Sequence, residues 1–365
     1  MKKKKSKLQL AQDEAQASIN ETNKKIEELG TYSSNLCIEL NNMQSLFDKI
    51  RNMPSEKKLE IDNLKQIRLN WKQQAEKIES DYKTATVKNV GAGAAGAGVG
   101  VAVMTLGPTA AMGIATTFGV ASNGTAISAL SGAAATNAAL AWLGGGALAV
   151  GGGGMAAGNA FLALAGPVGW AIAGVTLVAS GLMFWKSSSD KNRIENVFTL
   201  ISERDVKSYK FAVVELNERI VRINSESKLL QDAILSIEGF GTEYDAMTEE
   251  QQYQLGSYLN LMLSSTQLLV NPIKGLLPKF DEDQWNKYIA WENRKIDDKV
   301  CNTFKSLIIS LSNLLYKIEL DDKDKKLLFK TFRKNKKMLS AMNIKKKEFI
   351  EDIIVAAEEA LFCIY

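Results

Sequence analysis

The stretch KNVGAGAAGAGVGVAVMTLGP, Lys88 to Pro108, opens a run in which Lys, Arg, Asp and Glu disappear altogether. The run lasts from Asn89 to Trp185, 97 residues, and ends at Lys186. One bilayer-spanning helix needs about 20 apolar residues, so a run of this length makes membrane contact the leading reading. The alternative is a large buried helical core. Twenty-two of the 27 glycines lie in the run, beginning with Gly91. Glycine costs a helix in water about 1 kcal/mol relative to alanine. In lipid, small residues instead let helices approach closely enough for dispersion contacts to hold them together. Gly96 and Gly100 form a GxxxG pair, extended backwards by Ala92, and Gly154 and Gly158 repeat it. These glycines are the expected oligomerisation face.

Pro108, Asn123-Gly124 and Pro167 divide the run, with softer breaks at Gly144 to Gly146 and Gly151 to Gly154. The candidate apolar segments are Val90 to Leu106, Thr109 to Leu130, Ala133 to Val150 and Met155 to Trp185. The last is the most hydrophobic, with Phe161, Leu164, Trp170, Ile172, Val175 and Leu182. Trp185 and Lys186 close it as an interfacial anchor. The earlier segments are mostly Ala, Gly, Ser and Thr, whose transfer into lipid is only weakly favourable. Such a block is expected to insert conditionally, folded away until a trigger or oligomerisation supplies packing partners. A permanent anchor of two to four spans is the competing expectation.

On both sides the chain is densely charged and its apolar residues fall at heptad spacing. Leu8, Ala11, Ala15, Ile19, Thr22, Ile26 and Leu29 form one stripe, continued by Leu36, Leu40, Met43, Phe47 and Ile50. Leu64, Ile67, Trp71, Ala75, Ile78 and Tyr82 form the next. Gly30 and Met53-Pro54-Ser55 are candidate breaks, so a bent or two-part helical arm is expected. After the run, Ser187 to Asp190 offers N-cap chemistry, and a stripe from Leu216 through Ile220, Ile223, Leu230 and Ile234 reaches Ile237 before Gly239. The matched stripes predict that this return helix packs antiparallel to the first arm, with the uncharged block at the hairpin tip.

Thr248 with Gln251 reads as a capping box for a helix that stops at Asn271-Pro272. Further helices are expected around Val300 to Ile318, behind Asp321-Asp322, and from Asn343 through Ile353 to Phe362. No strand pattern competes outside the uncharged block. The expected fold is therefore all-α: an elongated antiparallel helical bundle or coiled coil, a long Gly/Ala-rich helical head and a C-terminal helical bundle. Its expected parts are an N-terminal arm over 1–88, the head over 89–186, the return helix over 187–241 and the C-terminal bundle over 242–365.

The formal net charge is only +4. It is clustered, in Lys2 to Lys5 with Lys7 and in a run holding Lys326, Lys330, Arg333, Lys337 and Lys345 to Lys347. With Lys186, Lys326, Lys330, Arg333 and Lys337 are candidate lipid-headgroup contacts, each worth about 1 kcal/mol near an anionic leaflet. A solvated helix face is the plainer reading.

The chain contains no histidine, which removes the commonest general base and metal ligand. No phosphate loop or CxxC pair is present, so no catalytic residue, cofactor, metal site or small-molecule substrate is expected. Asp281, Glu282 and Asp283 match no metal-ligand spacing and read as a cap or turn. Cys37, Cys301 and Cys363 are odd in number and widely spaced, in keeping with reduced thiols. Met1 to Lys5 is basic like the start of a signal peptide, but the stretch from Ser6 to Ala17 is polar and supplies no apolar core for one, so conventional secretion is not expected.

From Leu8 to Ile237 this layout resembles the alpha-helical pore-forming toxins of the cytolysin A and haemolysin BL type, in architecture. The helical arms correspond to their bundle, and Val90 to Trp185 to their membrane-entering segment, although here it is longer and richer in glycine. Thr125 to Ala173 also resembles a glycine-zipper cassette of bacterial proteins. The resemblance implies a protein made in the bacterial cytoplasm that oligomerises and permeabilises a membrane, its producer's own or a target reached by non-classical export. The alternative is a constitutively membrane-anchored scaffold whose C-terminal bundle recruits a partner. Partners are thus expected to be a lipid membrane and further copies or related helical subunits, with no nucleic acid.

Overall fold

The computed structural model of the chain describes residues 5–93, 108–119, 187–334, 339 and 344–364. Its regular structure there is helical, with a single isolated bridge between Arg51 and Glu243, so the protein is all-α. Two helices, α1 (Lys7–Phe47) and α2 (Ser55–Gly93), form the N-terminal arm. A short α3 (Pro108–Phe118) comes from inside the uncharged block. After it come α4 (Ser188–Glu238), α5 (Glu249–Val270), α6 (Glu282–Ala290), α7 (Asp298–Leu315), α8 (Asp322–Lys334) and α9 (Asp352–Cys363).

Most helix starts follow from local chemistry. Ser6 and Gln9 cap α1 reciprocally, the Gln9 amide donating to Ser6 Oγ at 3.2 Å and the Ser6 amide to Gln9 Oε1 at 3.0 Å. The Asp190 amide donates to Ser187 Oγ at 3.3 Å at the head of α4. Thr248 and Gln251 form the capping box of α5, and Asp281 caps α6 through the Asp283 and Gln284 amides. The last helix departs from expectation. Phe349 and Ile350 lie before it, α9 begins at Asp352 behind Glu351, and Asn343 lies outside the described residues.

The heptad stripes become one buried core running along α1, α2, α4 and α5, with Ile19, Ile26, Leu36, Leu40 and Met43 facing Leu216, Ile223 and Leu230. The pairing of the two arms runs opposite to expectation. Glu14 accepts from Lys210 Nζ at 2.7 Å and Glu39 from Gln231 Nε2 at 2.9 Å, while Lys7 pairs with Glu203 at 3.7 Å and Arg51 with Glu243. Partner numbers rise together, so α1 and α4 are parallel. These charged and polar pairs, spread from one end of α1 to just past the other, fix the direction that the apolar stripes leave open. At Asp48 to Pro54 the chain folds back, and α2 reverses against α1 with Lys65 Nζ on Asp48 at 2.9 Å. Ser265 on Glu226 at 2.6 Å and Arg219 Nη1 on the Leu268 carbonyl at 2.6 Å make α5 antiparallel to α4. The long helices therefore alternate up, down, up, down. At about 1.5 Å per residue, the 51 residues of α4 extend roughly 75 Å.

Inside this core Arg68 of α2 is buried, and its hydrogen bonds go to uncharged side chains. Its Nη2 donates to Gln44 Oε1 on α1 at 2.6 Å and its Nη1 to Thr266 Oγ1 on α5 at 3.3 Å. Burial lowers its pKa to about 10, so it stays charged at neutral pH and ties three helices in register. Cys37 and Cys301 are buried, Cys363 is half-buried and all three are free.

A second core joins the first turns of α4, through Ile194, Val197, Phe198 and Ile201, to α6, α7, α8 and α9. Leu8 at the start of α1 belongs to it. Phe198 meets Phe332 edge-on at 6.5 Å, and Phe332 meets Phe349 at 6.3 Å. The C-terminal bundle thus sits on the end of the long helices where α1 and α4 begin. It is smaller than expected, because α5 packs into the first core with the long helices.

Candidate functional site

The uncharged block returns to the described structure in α3, and α3 lies inside the bundle. It packs against α1, α2 and α5, and Ala111, Gly113, Ile114, Ala115, Thr116 and Thr117 are buried. The Thr109 to Leu130 segment is therefore not one helix. It stops at Phe118, where Gly119 takes φ +75° and its amide caps the Ala115 carbonyl at 2.9 Å, a left-handed turn that suits glycine. Eleven residues make a helix of about 16 Å, roughly half the hydrocarbon thickness. Among the described residues no helix is long and apolar enough to cross a membrane.

Two glycines set how deeply α3 sits. A Cβ on Gly30 of α1 would lie 1.7 Å from the Thr109 carbonyl oxygen and 2.9 Å from the Gly113 nitrogen. A Cβ on Gly113 would lie 2.0 Å from the Ile26 carbonyl oxygen. The two backbones touch where neither residue has a side chain, the small-residue packing expected of the block but made to the charged arm. Gly30 is accordingly no break, and α1 runs through it unbroken. Its sequence signal was its phase: Ile26, Leu29, Gly30 and Ser33 all face inward.

The polar groups of the crossing are matched. Thr116 Oγ1 donates to Ser33 Oγ at 2.9 Å, Thr117 Oγ1 donates to the Gly113 carbonyl at 2.7 Å, and the Ile273 amide donates to the Thr117 carbonyl at 2.6 Å. The cradle offers hydroxyls, amides and apolar surface to α3, whose own residues include no charge. Ser33→Ala strands the Thr116 hydroxyl in the interior and should lower the unfolding free energy by about 1–3 kcal/mol, read from the denaturant midpoint at unchanged slope.

Of the residues expected at the membrane, Gly91 lies in the last turn of α2. Gly96, Gly100, Gly154, Gly158, Phe161, Leu164, Trp170, Ile172, Val175, Leu182, Trp185 and Lys186 lie outside the described residues, as does Lys337. Lys326 and Lys330 are exposed on α8 opposite its buried Leu327, Leu328, Thr331 and Phe332, and Arg333 is half-buried over the Phe329 ring at 5.4 Å. They share no surface with α3. Among the described residues no group of three or more Cys, Asp or Glu is placed to hold a metal.

No family model, no curated protein and no solved structure matches the chain.

Proposed function

We propose that the protein is a membrane-inserting, permeabilising helical protein whose uncharged block is stowed in part against its own bundle and acts when released. The observation that carries this reading is the burial of α3. A piece of the charge-free run is packed between amphipathic helices, and its neighbours in sequence on both sides are equally free of charge. Release of α3 would free its own apolar surface together with that of its cradle, whose deepest contact is backbone on backbone at Gly30 and Gly113. Further copies of the chain are the proposed assembly partners, through the glycine pairs of the block.

The same burial favours a second reading, in which the block is interior packing throughout. A cross-link separates them. Ser33→Cys with Thr116→Cys places two thiols where the native hydroxyls are 2.9 Å apart. On the first reading the unmodified protein releases dye from liposomes, the oxidised double variant is silent, and reductant restores release. Absence of release by the unmodified protein across lipid compositions and pH would rule out permeabilisation and leave the interior reading.

A further inference from the structure

Basic side chains line the outer face of α8 and continue beyond it. Lys326, Lys330 and Lys334 are exposed along the helix with the half-buried Arg333 between them. Arg333 Nε donates to the Lys346 carbonyl at 3.2 Å, which brings the exposed Lys345, Lys346 and Lys347 to the end of the same face. Four of the carboxylates beside α8 hold other cations. Asp321 and Asp324 hold Arg193, the latter at 2.9 Å, and Glu358 and Asp322 hold Lys325 at 2.7 and 3.2 Å. The stripe is a concentrated positive surface that runs roughly 12 Å along the helix from Lys326 to Lys334 and continues in the Lys345 to Lys347 run, on a helix anchored by Phe332 and by Phe329 stacked on Phe349 at 5.8 Å.

Its position is the second observation. Lys323 Nζ meets Asp190 at 3.1 Å and Arg193 bridges to Asp321 and Asp324, so the N-terminus of α8 is bound to the first two turns of α4. Asp190 stands five residues after Trp185, where the uncharged block ends. The basic face thus belongs to a helix tied to the start of α4, the helix that follows the uncharged block in sequence.

We infer that the α8 face and the Lys345 to Lys347 run form a docking surface for an anionic phospholipid leaflet, placed to hold the C-terminal end of the uncharged block at the bilayer. The inference rests on the membrane-active reading above. The chemistry favours a leaflet over nucleic acid: six of the seven cations are lysines, point charges suited to a diffuse headgroup layer, whereas phosphate recognition on a duplex leans on forked guanidinium groups.

The test uses the full chain and the variant Lys326→Gln, Lys330→Gln, Lys345→Gln, Lys347→Gln, with the corresponding four Lys→Arg substitutions as a charge-preserving control. Flotation is measured with phosphatidylcholine vesicles and with vesicles containing phosphatidylserine, at low and high salt. About fivefold weaker binding to anionic vesicles is expected for each charge removed, several hundredfold in all, with salt abolishing the difference and the Arg control binding as the parent does. Binding to neutral vesicles should be unchanged. Equal binding of parent and Gln variant to anionic vesicles overturns the inference. So does a charge-dependent affinity for duplex DNA or polyglutamate without vesicle binding. Dye release separates this failure from that of the function. Binding that falls in the variant while neither protein releases dye leaves the docking surface standing without permeabilisation; undiminished release by the variant from anionic vesicles does the reverse.

Discussion

Gly30→Ala is expected to expel α3 from the bundle and to lower the unfolding free energy by about 4 kcal/mol, a fall of roughly 5 °C in melting temperature. The added Cβ would stand 1.7 Å from the Thr109 carbonyl oxygen. That neighbour is backbone on a helix, with no side chain to turn aside. Either α1 and α3 separate or the substitution is not accommodated, and separation forfeits the burial of Ile114, at about 2 kcal/mol, and of the Ala111 and Ala115 methyls, at about 0.8 kcal/mol each. Gly30→Leu should act in the same sense and more completely. Helix propensity alone points the other way, since alanine gains about 1 kcal/mol over glycine in a helix interior. Gly256 in the middle of α5 supplies the control. Its Cβ would meet only Lys57 Nζ, at 3.9 Å, so Gly256→Ala should raise stability by about 0.5–1 kcal/mol. One chemical change is thus expected to have opposite signs at two helical glycines. Thermal unfolding reads both, and limited proteolysis around Pro108–Phe118 reads the release. Destabilisation by Gly256→Ala equal to that by Gly30→Ala would sink the crossing argument. On the proposed function, the Gly30 variants should also permeabilise liposomes at lower protein concentration than the parent.

Gly30 shows the difference between local and long-range signals in this chain. Caps are chemistry between residues three apart, so Ser187, Thr248 with Gln251 and Asp281 could be read directly. The stripes were equally legible, and Leu8, Ile19, Leu36, Leu216 and Ile237 are all buried. A heptad stripe, however, reads the same in both directions. Nothing in Leu216 to Ile237 says whether α1 lies parallel or antiparallel; that is decided by Glu14 finding Lys210 and Glu39 finding Gln231, pairs separated by 196 and 192 residues. A glycine in phase with a stripe is ambiguous in the same way, since it marks a break or a close approach depending on a partner far along the chain. Gly113, more than eighty residues from Gly30, is that partner.

The membership of α5 illustrates a further limit. Its capping box and its stop at Asn271 define its ends, but not the core that it joins. Leu255, Leu259, Met262 and Leu269 face the long helices instead, with Thr266 against Arg68. A two-residue polar capping signal defines an element without its neighbour. For the candidate site the charge-free run was plain from composition. Of that run, Pro108–Phe118 packs as a helix inside the bundle. Composition does not show that the cradle is built from the charged arm.

The second large effect is expected at the joint between the two cores. Asp205 of α4 is 1% exposed and lies between Ile201, in the C-terminal core, and Tyr209, in the core of the long helices. Its Oδ1 accepts from Arg204 Nε at 2.9 Å and Nη2 at 2.7 Å, while Oδ2 has no hydrogen-bond partner. Arg204 Nη1 reaches on to the Leu314 carbonyl at 2.8 Å and to the Tyr316 carbonyl, so it also satisfies the C-terminal end of α7. Burial outweighs the attraction of Arg204 and pushes the Asp205 carboxyl up to about 7. The folded protein then binds more protons than the unfolded chain between pH 4 and pH 7, and stability falls as pH rises through that window, by about 1.4 kcal/mol per unit and about 4 kcal/mol in all. Asp48 acts in the opposite sense: burial raises its carboxyl, but hydrogen bonds from Lys65 and Gln44 outweigh it, so it titrates low and its contribution is lost only below about pH 4. Asp205→Asn should flatten the profile between pH 4 and 7. Arg204→Ala should cost about 3–5 kcal/mol at pH 8, where it leaves a buried carboxylate unpaired, and less at pH 5, where that carboxyl holds its proton. Denaturant unfolding of the three proteins across pH decides the matter. A parental profile that rises from pH 4 to 7, or one that Asp205→Asn leaves unaltered, would show that the joint does not titrate. If the joint does titrate, alkaline conditions loosen the C-terminal bundle from the long helices at the end of the molecule where the uncharged block rejoins the chain.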